Sequence, residues 1–313
     1  MGWTDDDDIE QEEQQSEEVE ETSQENETMT EENDEVDLSN LAPGAVDVQE
    51  AAEQEHQWKV MWWGDEGVGK SHACYTFPEP ICYIDTEHKA DDIAHKFSDK
   101  TVQIWQPNDF DEAVDARDEA LAYLSEYESQ TGDRGTIVVD SMSDMWQWAQ
   151  HKYIDKYKKN VDPEDVQLSL DDWGPIKKIH NDGFRQPFER SDYHVAWTAT
   201  RKDDLGRKLE ESMDATPDKP GGEGDNVYKV NSIVRLRTDD RGIPFGDLQK
   251  SGILRFKYLG LTRPTFQKHK EVVNHISEIE QNGAETVEEV EEAYSLDYDL
   301  DGFTEANTMG FVQ

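Results

Sequence analysis

From Trp58 onward, short apolar runs alternate with longer polar stretches of helical period. WKVMWW at 58–63, ICYID at 81–85, TVQIW at 101–105, TIVVD at 136–140 and YHVAWTA at 193–199 are nearly continuous apolar runs of strand length. That is the pattern of strands buried on both faces. A helix is predicted from about 70 to 77. Another is predicted over about 109–129, where Ala113, Ala116, Ala120, Leu121, Leu124 and Tyr127 fall on one face. Helical stretches continue to about 190, with Pro175 and Pro187 marking ends or kinks. This alternation predicts an α/β domain with a mainly parallel central sheet flanked by helices. Two further strands, at 230–238 and 252–260, are expected to extend the sheet. The polar stretch 200–225, with Pro217, Pro220 and a glycine cluster, reads as a long loop ahead of them.

The flanks are different. Residues 1–55 contain 22 acids and no Lys or Arg, with scattered apolar residues that follow no period. Such a segment buries too little apolar surface to offset its ordering entropy, and a disordered acidic tail is expected. Residues 271–313 contain 12 acids and again no Lys or Arg; they open on EVVNHISEIE, a helix-like stretch, and allow a second helix near 286–294. The expected division is therefore a tail at 1–55, one folded domain at 56–270 and an acidic helical or disordered tail at 271–313.

The formal charge of −43 is thus concentrated in the tails. A chain this acidic repels phosphates on average, so any nucleic-acid contact must be local. Residues 151–270, with 23 bases against 20 acids, are the one segment of positive balance. Acids exceed bases by 19 to 7 even within 56–150, a surface suited to high salt, and a halophilic source is expected on that ground. No apolar run approaches a membrane span and MGWTDDDD has no signal-peptide character, so a soluble, cytoplasmic protein without membrane association is expected. Cys74 and Cys82 are seven residues apart without a CxxC and read as buried free thiols.

The candidate chemistry lies directly after the first strand. GDEGVGKS, residues 64–71, matches G-x-x-x-x-G-K-[ST] between a strand and a helix. In such a loop Gly64, Asp65, Glu66, Gly67, Val68 and Gly69 wrap a phosphate chain with backbone N–H groups, helped by the positive end of the following helix. Lys70 then reaches the β and γ phosphates, and the Ser71 hydroxyl ligates Mg²⁺. Asp65 and Glu66 face an anionic ligand and are expected to point to solvent. Asp140, ending TIVVD, is the expected second metal-site residue. Glu87, two residues past ICYID, is placed to orient and deprotonate a water; Asp85 is the alternative base, or else a strand cap.

Several segments resemble a known family. ICYIDTEHKADDIA resembles the segment after the second core strand of RecA recombinases, TIVVDS their Walker B strand, and IWQPNDFDEAVDARDEAL the strand and helix between them. GGEGDNVYKVNSIVRLRT resembles the turn, helix and strand that close RecA's second DNA-binding loop. GDEGVGKS, FPEPICYIDTE and WTATRKDD are more similar still to RecA-like AAA ATPases of tailed phages and archaeal viruses. The resemblance covers about residues 58–260. It implies a RecA-like P-loop core that binds and hydrolyses ATP with Mg²⁺, Lys70 and Ser71 in Walker A, Asp140 in Walker B and Glu87 as the catalytic acid. It further implies homo-oligomeric rings or filaments and a role on single-stranded DNA in recombination, repair or replication. Two departures stand out. Thr198, Ala199 and Thr200 occupy the strand end where RecA has a phosphate-sensing Gln, and no oligomerisation helix precedes Trp58.

Basic side chains at Lys152, Lys156, Lys158, Lys159, Lys177, Lys178, Arg201, Lys202, Arg207 and Lys208 read equally as a DNA-tracking surface or as solvated, ion-paired helix faces. Trp146, Trp148, Trp173 and Trp197 fit core packing better than base stacking. Arg235, Arg237, Arg255 and Lys257 read as strand-face charges, or as a cation reaching a neighbour's γ-phosphate. Competing functions are a viral packaging or remodelling ATPase, a P-loop kinase, and a nucleotide-binding scaffold whose acidic tails recruit viral or host replication proteins.

Overall fold

In a computed structural model, the described residues are 56–158, 166–202, 219–254, 257–286, 288–290, 292–293 and 311–312. The expected acidic tail at 1–55, most of the predicted loop at 200–225, and Lys159, Arg207, Lys208 and Arg255 lie outside them.

In chain order the main elements are β1 (Lys59–Gly64), α1 (Lys70–Cys74), β2 (Ile81–Asp85), α2 (Ala90–Ala94), β3 (Val102–Trp105), α3 (Phe110–Thr131), β4 (Thr136–Asp140) and α4 (Met142–Tyr157). There follow α5 (Trp173–His180), α6 (Gln186–Arg190), β5 (His194–Thr200), β6 (Ser232–Thr238), β7 (Pro244–Ser251), β8 (Lys257–Thr262), α7 (Phe266–Gln281) and the two-residue β9 (Phe311–Val312). The sheet order is β3-β2-β4-β5-β1-β6-β7-β8-β9. The six strands from β3 to β6 are mutually parallel, and β7 and β8 add antiparallel. The expected α/β fold with a mainly parallel sheet is what forms.

Burial explains the apolar runs. Every residue of β2 and β4 is buried, as are five of the six in β1, because helices cover both faces of the sheet. One cluster, with Trp62, Phe77, Tyr83 and Val273, lies on one face; the other, with Trp63, Phe110, Ile137 and Trp197, lies on the opposite face. Helix α3 starts where Asp109 accepts the Glu112 N–H and stops at Gly132, whose φ of 81° suits the left-handed cap.

Three expectations are corrected. The first helix ends at Cys74 instead of 77, where the Tyr75 N–H turns back onto Ala73 and Ser71 carbonyls and Thr76 Oγ1 bonds the Ala73 carbonyl. In place of one strand at 252–260, a hairpin of β7 and β8 forms, and residues 252–254 lie in its turn. The helix expected from 271 begins at Phe266, so the 270/271 boundary falls inside it. Val272, Val273, Ile276 and Ile279 of α7 are buried in the core. Part of the segment expected to be a tail is therefore domain.

Cys74 and Cys82 are buried free thiols, as expected. Trp197 is buried, and Trp146, Trp148 and Trp173 pack against the second cluster, Trp146 stacking on Trp173 at 6.1 Å. Among the described residues no helix is long and apolar enough to cross a membrane.

Candidate nucleotide site

The parallel order β2-β4-β5-β1 brings the C-terminal ends of β2, β4 and β1 to the same end of the sheet, with β5 between β4 and β1, and each strand hands over to a loop there. The loop after β1 turns through Gly64, Gly67 and Gly69, with φ of 154°, 75° and 97°. A Cβ on Gly64 would stand 2.2 Å from the Leu236 carbonyl of β6, so close packing of neighbouring strands reserves that position for glycine. Helix α1 has only five residues. The loop's own N–H groups, more than a long helix dipole, make the anion cradle here.

Lys70 is 8% exposed, and its Nζ donates to the Gly64 carbonyl at 3.1 Å and the Asp65 carbonyl at 2.8 Å. Burial lowers its pKa, against the opposing pull of Asp140, Glu87, Asp65 and Glu66. An ammonium held only by carbonyl oxygens in a partly desolvated loop is prepared to exchange them for phosphate oxygens. Ser71 Oγ donates to Asp140 Oδ2 at 2.6 Å, which brings together the two groups chosen from separate parts of the sequence.

The Asp140 carboxylate has two more donors. Tyr83, on β2, donates to Oδ2 at 2.5 Å, and Thr198, on β5, donates to Oδ1. Neither was singled out for this role by the sequence, although Thr198 belongs to the Thr198–Thr200 departure. Burial, then the Asp140 charge, pushes the Tyr83 phenol well above its usual pKa, so it remains a donor. Thr86 reinforces the strand end, with its Oγ1 2.8 Å from Asp144 Oδ2 while accepting the Ser141 N–H at 2.7 Å.

Asp85 and Glu87 separate by environment. Asp85 is 1% exposed, and its Oδ2 accepts the Ala90 N–H at 2.8 Å and Gln106 Nε2 at 3.2 Å. It caps α2. Glu87 instead lines a cavity of about 800 Å³ shared with Lys70, Ser71 and Asp140. Burial, then the charge of Asp140, raises the Glu87 pKa, while Lys89, 3.1 Å from its Oε2, works in the other direction.

The acids inside the loop are exposed, and Glu66 also lines the cavity. Glu66 pairs with Lys89 at 3.2 Å, and Asp65 lies 3.5 Å from Arg201 just past β5. They tie the glycine loop to the segments following β2 and β5. The far wall of the cavity was not anticipated: Pro244, Arg263, Pro264, Thr265 and Lys268 line it. Two contacts hold that wall to the segment just after α1, a hydrogen bond from the Phe266 N–H to Thr76 Oγ1 at 2.8 Å and the Phe77–Phe266 ring contact at 4.4 Å.

Basic residues elsewhere are largely engaged. Lys152 pairs with Asp111, Lys158 with Asp172 and Lys177 with Glu223. Arg235 lies over the Trp63 ring, and Arg237 pairs with Asp247 and lies over Phe245. These contacts fit the strand-face and helix-face readings.

A glycine loop cradling a buried lysine, a hydroxyl joined to a strand-end carboxylate, and a parallel sheet that aligns them define a P-loop nucleotide-binding protein. A family model described as an AAA domain matches residues 56–229, more than half the chain, and the chain belongs to this family of P-loop AAA-type ATPases. No curated protein matches the sequence.

Proposed function

We propose that the protein is an Mg²⁺-dependent ATPase that acts on single-stranded DNA in recombination, repair or replication, in a viral or archaeal setting and as a ring or filament of identical subunits. The observation that carries the ATPase reading is the Ser71–Asp140 contact at 2.6 Å beside Lys70, with Glu87 on the same cavity. Two hard oxygen donors on rigid elements fit Mg²⁺, which takes few protein ligands and completes its shell with phosphate and water. When bound, the ion neutralises charge on the β and γ phosphates.

The chain's own groups divide the remaining work. The backbone of residues 64–69 holds the phosphates, and Lys70 exchanges its two carbonyl acceptors for phosphate oxygens. Ser71 and Asp140 supply the metal-facing oxygens. Glu87 accepts the proton of the attacking water, a task helped by a pKa raised toward neutrality. In-line attack then needs little beyond positioning and charge.

The DNA role rests on the RecA resemblance and on the positive balance of residues 151–270. Tyr228, 75% exposed in the turn after the glycine pair, offers a stacking face. A second reading, a remodelling ATPase with a protein substrate, is favoured by the ion pairs that engage Lys152, Lys158 and Lys177. ATP turnover with and without single-stranded DNA, on wild type and Lys70→Ala, tests both. The proposal expects turnover that rises with DNA and falls at least about 100-fold in the variant. Turnover indifferent to DNA would replace the first reading by the second.

A further inference from the structure

We propose that Tyr83 and Thr198 are positioning residues that fix the Asp140 carboxylate for the metal-bound nucleotide, an inference that rests on the ATPase reading above. Asp140 ends β4, and β4 lies between β2 and β5. Each neighbouring strand sends one hydroxyl to it: Tyr83 to Oδ2 at 2.5 Å and Thr198 to Oδ1. Ser71 adds a third from the start of α1, also to Oδ2. Both carboxylate oxygens are therefore engaged, and rotation about the side-chain bonds would break at least one contact.

Tyr83 is itself immobilised. Its ring lies 4.9 Å from that of Tyr75, the residue that caps α1, and Tyr75 stacks on Phe97 at 4.8 Å. Tyr75 OH donates to the Ala90 carbonyl at 3.1 Å. The phenol is thus seated against the same short helix that carries Lys70 and Ser71, and it links the glycine loop to the strand-end carboxylate. Thr198 is fully buried, and its strand pairs with β4 on one side and β1 on the other. Neither hydroxyl needs to touch a ligand. Both limit the geometry that Asp140 can present, the service that outer groups give to metal-facing residues.

The test is the affinity of the full chain for a non-hydrolysable ATP analogue, measured by calorimetry in Mg²⁺ and in EDTA. The ratio of the two affinities isolates what the metal contributes. Tyr83→Phe keeps the ring stack and removes only the hydroxyl; Thr198→Val keeps the shape and removes the donor. Each is expected to lower the ratio roughly 10-fold while leaving the EDTA affinity within about 2-fold of wild type. Thr198→Ser is expected to restore it. A ratio unchanged in both variants, or an EDTA affinity that falls as much as the Mg²⁺ affinity, overturns the inference. If wild type binds no analogue under either condition, the nucleotide reading fails and this inference with it; wild-type binding with unchanged variants removes this inference alone.

Discussion

The two walls of the nucleotide cavity are built differently. On the wall formed by the parallel strands, Lys70 and Asp140 are 8% and 5% exposed, and hydrogen bonds already hold both. On the wall formed by the β7–β8 hairpin and the start of α7, Arg263 and Lys268 are exposed, and Arg263 sits in a turn at φ 47°. The first wall lies within the family match and the second outside it. A preorganised group loses little freedom when ligand arrives, whereas an exposed cation must be immobilised at some cost. On the proposed ATPase reading, chemistry is assigned to the first wall and adjustable affinity to the second.

The largest expected effect tests the first half of that contrast. Glu87→Gln keeps size and hydrogen bonding but cannot take up a proton, and turnover is expected to fall about 10² to 10³-fold with nucleotide affinity nearly intact. Because burial raises the Glu87 pKa, wild-type activity should be lost on acidification at a pH above the ordinary carboxylate range. Steady-state rates across pH read both. Unchanged turnover in the variant would move the base elsewhere and remove the functional distinction between the walls.

The same contrast governs what the sequence discloses. Strands buried on both faces write themselves as apolar runs, so β1, β2, β4 and β5 are legible almost to the residue. Strand β7, PFGDLQKS, is not: it opens on Pro244, contains Gly246, and includes a buried Asp247 that is tolerated only because Arg237 pairs with it. That partner lies on another strand, beyond the reach of any local pattern. At the site, GDEGVGKS and the end of TIVVD locate Ser71 and Asp140 because each has a local signature. Tyr83 and Thr198 have none. Their role arises from β2 and β5 flanking β4, a strand order that the alternation of elements does not specify.

How firmly the second wall is seated can be read from acid stability. His269 of α7 is fully buried beside Trp58 and Trp62, and burial depresses its pKa to about 3; His180 is likewise lowered to about 4. Unfolded, both return to about 6.5. Above that pH neither chain form is protonated and nothing changes. Below it the unfolded chain takes up protons that the folded chain refuses, so stability falls, by roughly 2 kcal/mol per histidine at pH 5. Thermal unfolding at pH 7 and pH 5 should show the decline, and His269→Gln should roughly halve it relative to its own pH 7 value, His180 supplying the rest. An equal decline in that variant would mean that the α7 contact does not carry the acid sensitivity.

The smallest effect discriminates most sharply between the walls. Arg263 is an exposed cation on the cavity rim, and removing such a charge changes affinity by roughly 0.5–1 kcal/mol, or about 2- to 5-fold. Arg263→Ala should weaken nucleotide binding by that factor and leave the maximal rate unchanged. Arg263→Gly removes the same charge and also relieves a left-handed backbone that a Cβ disfavours, a strain on the order of 1 kcal/mol. Both variants should therefore bind nucleotide equally weakly, while only the glycine variant melts higher than wild type. A fall in maximal rate in either one would place Arg263 among the groups that act on the reacting phosphate, and the division of labour between the two walls would no longer hold.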